Sequence, residues 1–290
     1  MKTKSQKYAL RENIGVKNKE DPSSQWKFLP QPLLSYIFCF LVHHEVFERA
    51  YLVCFDWTDI VVPWSAVIAS TPKQLDLLSR ATLKRCVLKS TLFCIEDLIK
   101  FVDLFQNITS ITLKDFNCGY GGARALRSLL SLSQLIYLDL SLHGSMTNRK
   151  FESLSNLNAL QHLVLRDTME NVTQAGFKHL ASMQQLRVLE FYWCEKLNLS
   201  SLIHMASLRV LVLCELELYP DELDIIFDSL SILPLTKLTL NHTNFTYQNL
   251  RCLTKATTLT TLVLHNKDID DEGLSDLKTM SALTCLILDV

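Results

Sequence analysis

Three short segments carry residue types that could do chemistry. Residues 43–45 read His-His-Glu, but adjacent residues do not share one face of a helix, and no cysteine stands at metal-ligand spacing. Residues 118–122 read Cys-Gly-Tyr-Gly-Gly, without the Lys-Ser/Thr of a phosphate-binding loop or the spacing of a dinucleotide motif. Residues 270–272, Asp-Asp-Glu, are typical of a helix N-terminus, where carboxylates complement the helix dipole. We therefore expect no catalytic residue, no metal site and no cofactor.

Composition limits the class of protein. The chain has 290 residues, of which 48% are hydrophobic and 20% charged, as in a globular chain with a sizeable core. Its net charge is −1, so no electrostatic excess drives binding to nucleic acid or to a membrane surface. The nine cysteines form no C-x-x-C pair. The first 25 residues contain no apolar run of signal-peptide length, and no stretch of about 18 apolar residues predicts a membrane span. We expect reduced thiols, a cytoplasmic or nuclear location or both, and neither nucleic acid nor a membrane as partner.

Leucine is abundant and regularly spaced. The chain contains 55 Leu, and the pattern L-x-x-L-x-L recurs from residue 83 onward. Copies with leucine at all three positions begin at residues 135, 160, 208, 235, 259 and 283, and looser copies begin at 83, 108 and 186. Successive copies start 22 to 27 residues apart, inside the range of about 20 to 29 residues that leucine-rich repeats show.

This spacing predicts an α/β fold, a leucine-rich-repeat solenoid of about nine repeats over residues 69–290. In each copy a short strand turns its fourth and sixth positions into the core, and the chain returns along a helical convex side. Three return segments, which begin near Thr173, Pro220 and Asp270, show a capping residue before apolar positions and are predicted to be helices. Stacked copies would bury a continuous core and form a curved parallel sheet.

The N-terminal part of the chain has a different composition. Residues 1–24 contain scattered charges and are predicted to be a mobile tail. Residues 25–68 are dense in large apolar side chains, and their spacing around Pro30, Pro32 and Pro63 predicts three short helices. We expect a small all-helical domain there, preceding the repeats.

The segment 25–68 resembles an F-box. The resemblance is carried by a Leu-Pro start, a Leu-x-x-x-Ile-Phe helix, a Val-Cys-x-x-Trp helix and a Trp directly after a Pro. The matching residues are Leu29, Pro30, Leu33, Ile37, Phe38, Val53, Cys54, Trp57 and Trp64. An F-box followed by leucine-rich repeats is a known family architecture, and the two segments together cover most of the chain.

Members of the family that this chain resembles are non-catalytic substrate-recognition subunits of Skp–cullin–F-box ubiquitin ligases. The resemblance implies that this segment docks on the Skp adaptor and, through it, on a cullin. Its nine matching residues are the candidate adaptor contacts, and the alternative role for part of them is the core of the small domain. It also implies that the repeats hold a protein substrate for ubiquitination and proteasomal degradation. Two alternatives remain open: a protein-binding scaffold that uses an F-box-like module outside a ligase, and a pathogen effector that borrows the host adaptor.

A candidate substrate-binding patch follows from the repeat pattern. Strand positions three, five and seven of each copy point to the concave side of the predicted solenoid, away from the leucines. Arg, Tyr and Trp are favoured anchors of protein interfaces. The expected patch consists of His162, Arg166, Glu190, Tyr192 and, one residue beyond its strand, Trp193.

Overall fold

The computed structural model describes residues 67–69, 85–89, 94–117, 122–143, 146–166, 169, 171–194, 199–215, 220–241, 245–265 and 271–289. The chain divides into two compact units, Met1–Val62 and Pro63–Val290. The predicted tail, the predicted F-box helices and the nine predicted adaptor-binding residues lie outside the described residues. All described residues belong to the second unit.

The second unit contains a parallel sheet of ten strands that follow one another in sequence order. The strands are β1 Val67–Ala69, β2 Arg85–Lys89, β3 Ser110–Asn117, β4 Tyr137–His143, β5 His162–Leu165, β6 Val188–Tyr192, β7 Val210–Cys214, β8 Lys237–Asn241, β9 Thr261–His265 and β10 Cys285–Asp289. Each strand from β2 to β10 begins at the third position of a predicted copy, so the nine predicted strands and their register are confirmed.

Strand β1 is an addition to the nine predicted strands. Val67 pairs with Cys86 and Ala69 pairs with Leu88, so the two residues take the fourth and sixth positions of a further copy. The leucine pattern missed this copy because neither position holds leucine. The predicted domain boundary after residue 68 therefore cuts through β1, whereas the second compact unit begins at Pro63.

Short helices connect the strands. The described α-helices are α1 Ile95–Leu104, α2 Gly122–Ser128, α3 Asn148–Leu154, α4 Gln174–Ala181, α5 Pro220–Ile232, α6 Tyr247–Cys252 and α7 Asp271–Leu277. Short 3₁₀ segments lie at Leu129–Ser131, Ser200–His204 and Leu253–Lys255. The three helices predicted from sequence are confirmed as α4, α5 and α7. Helix α4 begins after Thr173 because the Thr173 hydroxyl accepts a hydrogen bond from the free N–H of Ala175.

The leucines of the pattern form the core between the strands and the helices. In β4, for example, Leu138 and Leu140 are fully buried, and the same positions are buried in every strand from β5 to β9. Helix side chains complete this core, and the rings of Phe151 in α3 and Phe177 in α4 lie 5.8 Å apart between successive repeats. Each fully buried leucine contributes about 1.5 to 3 kcal/mol through the hydrophobic effect. The core thus covers one face of the sheet, and the side chains between the leucines stand on the other face.

Candidate functional site on the sheet face

The face of the sheet opposite the leucine core is formed by strand positions three, five and seven, and we call it the ladder face. Its side chains are mostly half-buried, and they alternate with fully buried core residues, as the pattern of β6 shows. Within each repeat the alternation is enforced by the strand, since successive side chains point to opposite faces. Four of the five predicted patch residues lie on this face, and Trp193 follows β6 directly.

The strand register brings residues from distant repeats together. Tyr137 in β4 pairs with His162 in β5, and Val164 in β5 pairs with Glu190 in β6. Neighbouring strands lie about 4.8 Å apart, so long side chains reach one or two strands across. We call the resulting group the ladder cluster; its members are Tyr137, Asp139, His162, Arg166, Glu190, Tyr192, Trp193 and Glu215.

Arg166 links three strands of the ladder cluster. Its Nε donates to Asp139 Oδ1 at 3.0 Å, and its Nη2 donates to Asp139 Oδ2 at 3.4 Å. The same guanidinium lies over the ring of Tyr192, with 4.1 Å between Cζ and the ring centroid. Asp139 is 4% exposed, and a buried carboxylate is costly unless a cation and hydrogen bonds compensate it. Arg166 provides both and is held between a carboxylate and an aromatic face.

Glu190 is the second hydrogen-bonded centre of the ladder cluster. One carboxylate oxygen lies 2.7 Å from His162 Nε2, and the other accepts from the Tyr192 hydroxyl at 2.8 Å. Because an ionised carboxylate can only accept, the histidine nitrogen donates. The His162 ring also meets the ring of Tyr137 edge-on, with 4.7 Å between centroids. Both oxygens of Glu190 are therefore fixed, as are the rings around them.

Trp193 and Glu215 hold an uncommon backbone conformation. Their φ angles are 55° and 54°, in the left-handed region that bulky side chains rarely adopt. This costs about 1 to 2 kcal/mol per residue. The two residues are equivalent, since each directly follows one of the paired residues Tyr192 and Cys214. Each residue continues the backbone hydrogen bonding between strands: the N–H of Trp193 donates to Cys214 O at 3.1 Å, and the N–H of Glu215 donates to Asn241 O at 2.8 Å.

The two side chains also contact each other. The indole Nε1–H of Trp193 donates to Glu215 Oε2, and the Trp193 ring centroid lies 6.0 Å from that of Tyr192. Trp193 nevertheless remains 54% exposed. A fixed, exposed aromatic ring beside a carboxylate thus stands at the edge of the ladder cluster.

The charges of Glu190, Tyr192 and Arg166 are held constant near neutral pH by their surroundings. The hydrogen bond from His162 lowers the pKa of Glu190, assisted by the Tyr192 hydroxyl and opposed by burial. Burial, followed by the Glu190 carboxylate, raises the pKa of Tyr192. Burial acts to lower the pKa of Arg166, but the hydrogen bond and charge of Asp139 outweigh it and raise that pKa. Each of these pKa values is shifted away from neutrality, so Glu190, Tyr192 and Arg166 keep their protonation states across the neutral range.

The structure brings the five predicted patch residues into one contiguous group. Their role in binding stays a prediction. Three members of the ladder cluster were not in the predicted patch: Tyr137, Asp139 and Glu215. The first two occupy ladder-face positions that the repeat pattern identifies, and Glu215 stands at the same offset from its strand as Trp193. Aligning consecutive copies would have placed Trp193 and Glu215 side by side.

Neither a metal-binding cluster nor a membrane-spanning helix is found among the described residues. Within the ranges given above, no three histidine, cysteine or acidic side chains come together in a way that could hold a metal ion. The segment 43–45 lies outside the described residues. No helix in the described part of the chain combines the length and the apolar character needed to cross a membrane.

Comparisons with known proteins bear on the fold. No protein-family model and no curated protein matches the chain. Among solved structures, the chain is similar to an internalin, InlF, from Listeria monocytogenes, with a TM-score of 0.53 and 18% identity over 77% of this chain and 60% of that one. It is also similar to internalin C2 from Listeria monocytogenes, with a TM-score of 0.47 and 21% identity over 76% of this chain and 85% of that one. The chain thus spans 60% of the length of InlF. Together with the ten-stranded parallel sheet, the likeness to InlF shows that the second unit has an α/β leucine-rich-repeat fold.

Proposed function

We propose that the ladder face binds a protein partner and that the chain is the substrate-recognition subunit of a Skp–cullin–F-box ubiquitin ligase. One observation carries the binding role: Trp193 is exposed, and its indole N–H donates to the Glu215 carboxylate. Its ring centroid lies 6.0 Å from that of Tyr192, over which the Arg166 guanidinium lies. Tryptophan, tyrosine and arginine are the side chains most enriched among the residues that dominate interface energies.

The state of the ladder cluster supports binding rather than catalysis. Its aromatic, acidic and basic side chains are already held by hydrogen bonds and ring contacts, so a partner would lose less conformational entropy by ordering them. General acid–base chemistry works best with a pKa near the working pH, whereas the pKa values of Glu190, Tyr192 and Arg166 are shifted away from neutrality. We therefore propose that the chain has no catalytic step of its own.

The ligase role depends on the F-box-like segment. In that role Leu33, Ile37 and Trp57 contact the Skp adaptor, and the ladder face holds the substrate. The ligase then works by proximity, since it raises the effective concentration of substrate lysines near a charged conjugating enzyme. Support for this part of the proposal comes from the sequence resemblance, because these residues lie outside the described ranges.

The test is affinity capture of the intact chain from cells in which the proteasome is inhibited. We expect the Skp adaptor and a cullin to co-purify, and Leu33→Ala combined with Ile37→Ala to abolish both. Trp193→Ala serves as the matched control, since it should leave adaptor capture unchanged while removing a substrate. Adaptor without cullin would favour the scaffold over the ligase. Unchanged adaptor capture by a folded Leu33→Ala, Ile37→Ala variant would refute the F-box assignment.

A further inference from the structure

Asp139, Arg166 and Tyr192 form an aromatic–carboxylate site that is already occupied by a guanidinium. The Arg166 guanidinium makes two hydrogen bonds with the Asp139 carboxylate and lies 4.1 Å from the Tyr192 ring centroid. A planar guanidinium suits this position because it can bond a carboxylate with its edge and stack on an aromatic ring with its face. On this surface, then, a carboxylate and an aromatic ring together hold an arginine side chain of the chain itself.

Trp193 and Glu215 form a second aromatic–carboxylate pair, at the residues that directly follow β6 and β7. The indole N–H of Trp193 orients the Glu215 carboxylate, and both residues are exposed. Among the described residues, no lysine or arginine forms an ion pair with Glu215. Tryptophan is also the aromatic side chain that attracts cations most strongly. The second pair therefore has an aromatic ring and a carboxylate, but no lysine or arginine among the described residues pairs with that carboxylate.

The charge of the ladder cluster favours a cationic guest. It contains three carboxylates, those of Asp139, Glu190 and Glu215. Arg166 supplies one guanidinium, and its bidentate bonds go to Asp139. Even if His162 is counted as a second cation, the three carboxylates outnumber the cations. The cluster is therefore net negative next to its exposed ring, and an acidic partner would be repelled there.

We propose that Trp193 and Glu215 bind an arginine side chain of an extended basic segment in the protein partner. The incoming guanidinium stacks on the indole and pairs with the Glu215 carboxylate, as Arg166 does with Tyr192 and Asp139. This inference rests on the proposed role of the ladder face in partner binding and adds the chemistry of the partner.

The test uses the full chain and a synthetic heptapeptide, acetyl-Gly-Ser-Gly-Arg-Gly-Ser-Gly-amide. Binding is followed through the indole N–H signals of the four tryptophans in ¹H–¹⁵N correlation spectra, and Trp193→Phe identifies the signal of Trp193. We expect a saturable shift of that signal with a dissociation constant on the order of millimolar, since the probe makes one cation–π contact and one ion pair. The affinity should fall as salt is added, because the pair is exposed.

Two comparisons make the result specific. The peptide with citrulline in place of arginine keeps the planar group without its charge and should give no saturable shift, and the lysine peptide should bind more weakly than the arginine peptide. Glu215→Gln keeps an oxygen acceptor for the indole and should weaken arginine binding about three- to tenfold. Glu152→Gln removes the same charge from exposed Glu152 in helix α3 and should bind like the unmodified chain.

Equal shifts with the arginine and citrulline peptides would overturn the inference, as would unchanged binding by the Glu215→Gln variant. Capture of a cellular partner separates this failure from failure of the proposed function. A partner lost in Trp193→Ala but kept in Glu215→Gln would overturn the arginine site and leave the binding face in place. A partner kept in both variants, without peptide binding, would count against both proposals.

Discussion

Replacing Arg166 with methionine should destabilise the repeat domain more than its position on an open sheet face suggests. Arg166→Met retains an apolar chain that can cover the Tyr192 ring but removes both hydrogen bonds to Asp139. The Asp139 side chain is 5% exposed and that of Arg166 is 25% exposed. The substitution therefore leaves a nearly buried carboxylate without its cation.

The structure sets the expected size of this effect. Removing one partner of a fully buried ion pair costs about 3 to 5 kcal/mol. Because a quarter of the Arg166 side chain is exposed, water can partly replace it around Asp139. We therefore expect the free energy of unfolding to fall by about 2 to 3 kcal/mol. Asp139→Asn in the same chain should recover part of this loss, since a neutral amide is cheaper to bury than an unpaired charge.

Urea denaturation of the four chains of this double-mutant cycle provides the measurement, with the m-value checked for a change in cooperativity. The control is Arg251→Met, which removes an exposed pair whose atoms Arg251 Nε and Asp276 Oδ2 lie 3.9 Å apart; it should change stability by less than about 0.5 kcal/mol. Equal effects of Arg166→Met and Arg251→Met, or strict additivity with Asp139→Asn, would refute the assignment of Arg166 as the compensating cation.

Three further predictions concern a core leucine, the loss of stability at low pH and one glycine. Leu262→Ala should lower the free energy of unfolding, measured in urea, by about 2 to 5 kcal/mol because Leu262 is fully buried. Leu286→Ala, at the same position of β10, should lower it by less than half as much because Leu286 is 39% exposed. The pKa of Glu190 is lowered in the folded chain from its ordinary 4.5. Ionised Glu190 should therefore contribute its full stabilisation of the fold above about pH 5 and lose it as the pH falls through the lowered pKa. The free energies of unfolding of the unmodified chain and of Glu190→Gln, measured against pH, should converge in acid. Gly176→Ala should lower the melting temperature because a Cβ would lie 2.5 Å from Asn148 Oδ1, and Asn148→Ala in the same chain should reduce the loss; an unchanged loss would show that this contact is not responsible.

The leucine spacing by itself determined the repeat architecture. A strand alternates faces with a period of two residues, so one L-x-x-L-x-L copy defines which positions are buried and which are exposed. Repetition at 22 to 27 residues then requires that each copy stack on the next, because one copy cannot bury its own apolar face. For this reason the nine strands and the composition of the ladder face could be predicted residue by residue.

The sequence predicted only some of the helices. Helices α4, α5 and α7 were predictable because a capping or acidic residue precedes apolar positions. The short helix α3 also has a threonine cap, Thr147, which accepts from the N–H of Lys150. Its seven residues are too few to be stable alone, and it is held by packing such as the contact between Phe151 and Phe177. Strand β1 could not be predicted from the leucine pattern, because valine and alanine stand at its fourth and sixth positions; its pairing with β2 identifies it as a further copy.

The pairwise contacts of the candidate site were decided by the tertiary structure. Sequence position shows that Arg166, Tyr192 and Asp139 share a face, but not that the guanidinium lies between the carboxylate and the ring. That choice depends on rotamers and on strand spacing, and the partners stand about 26 residues apart along the chain. The left-handed backbone of Trp193 and Glu215 was equally absent from the pattern. Both residues continue the hydrogen-bonded ladder past the strand ends, and only the neighbouring strand can supply the acceptors that stabilise this conformation.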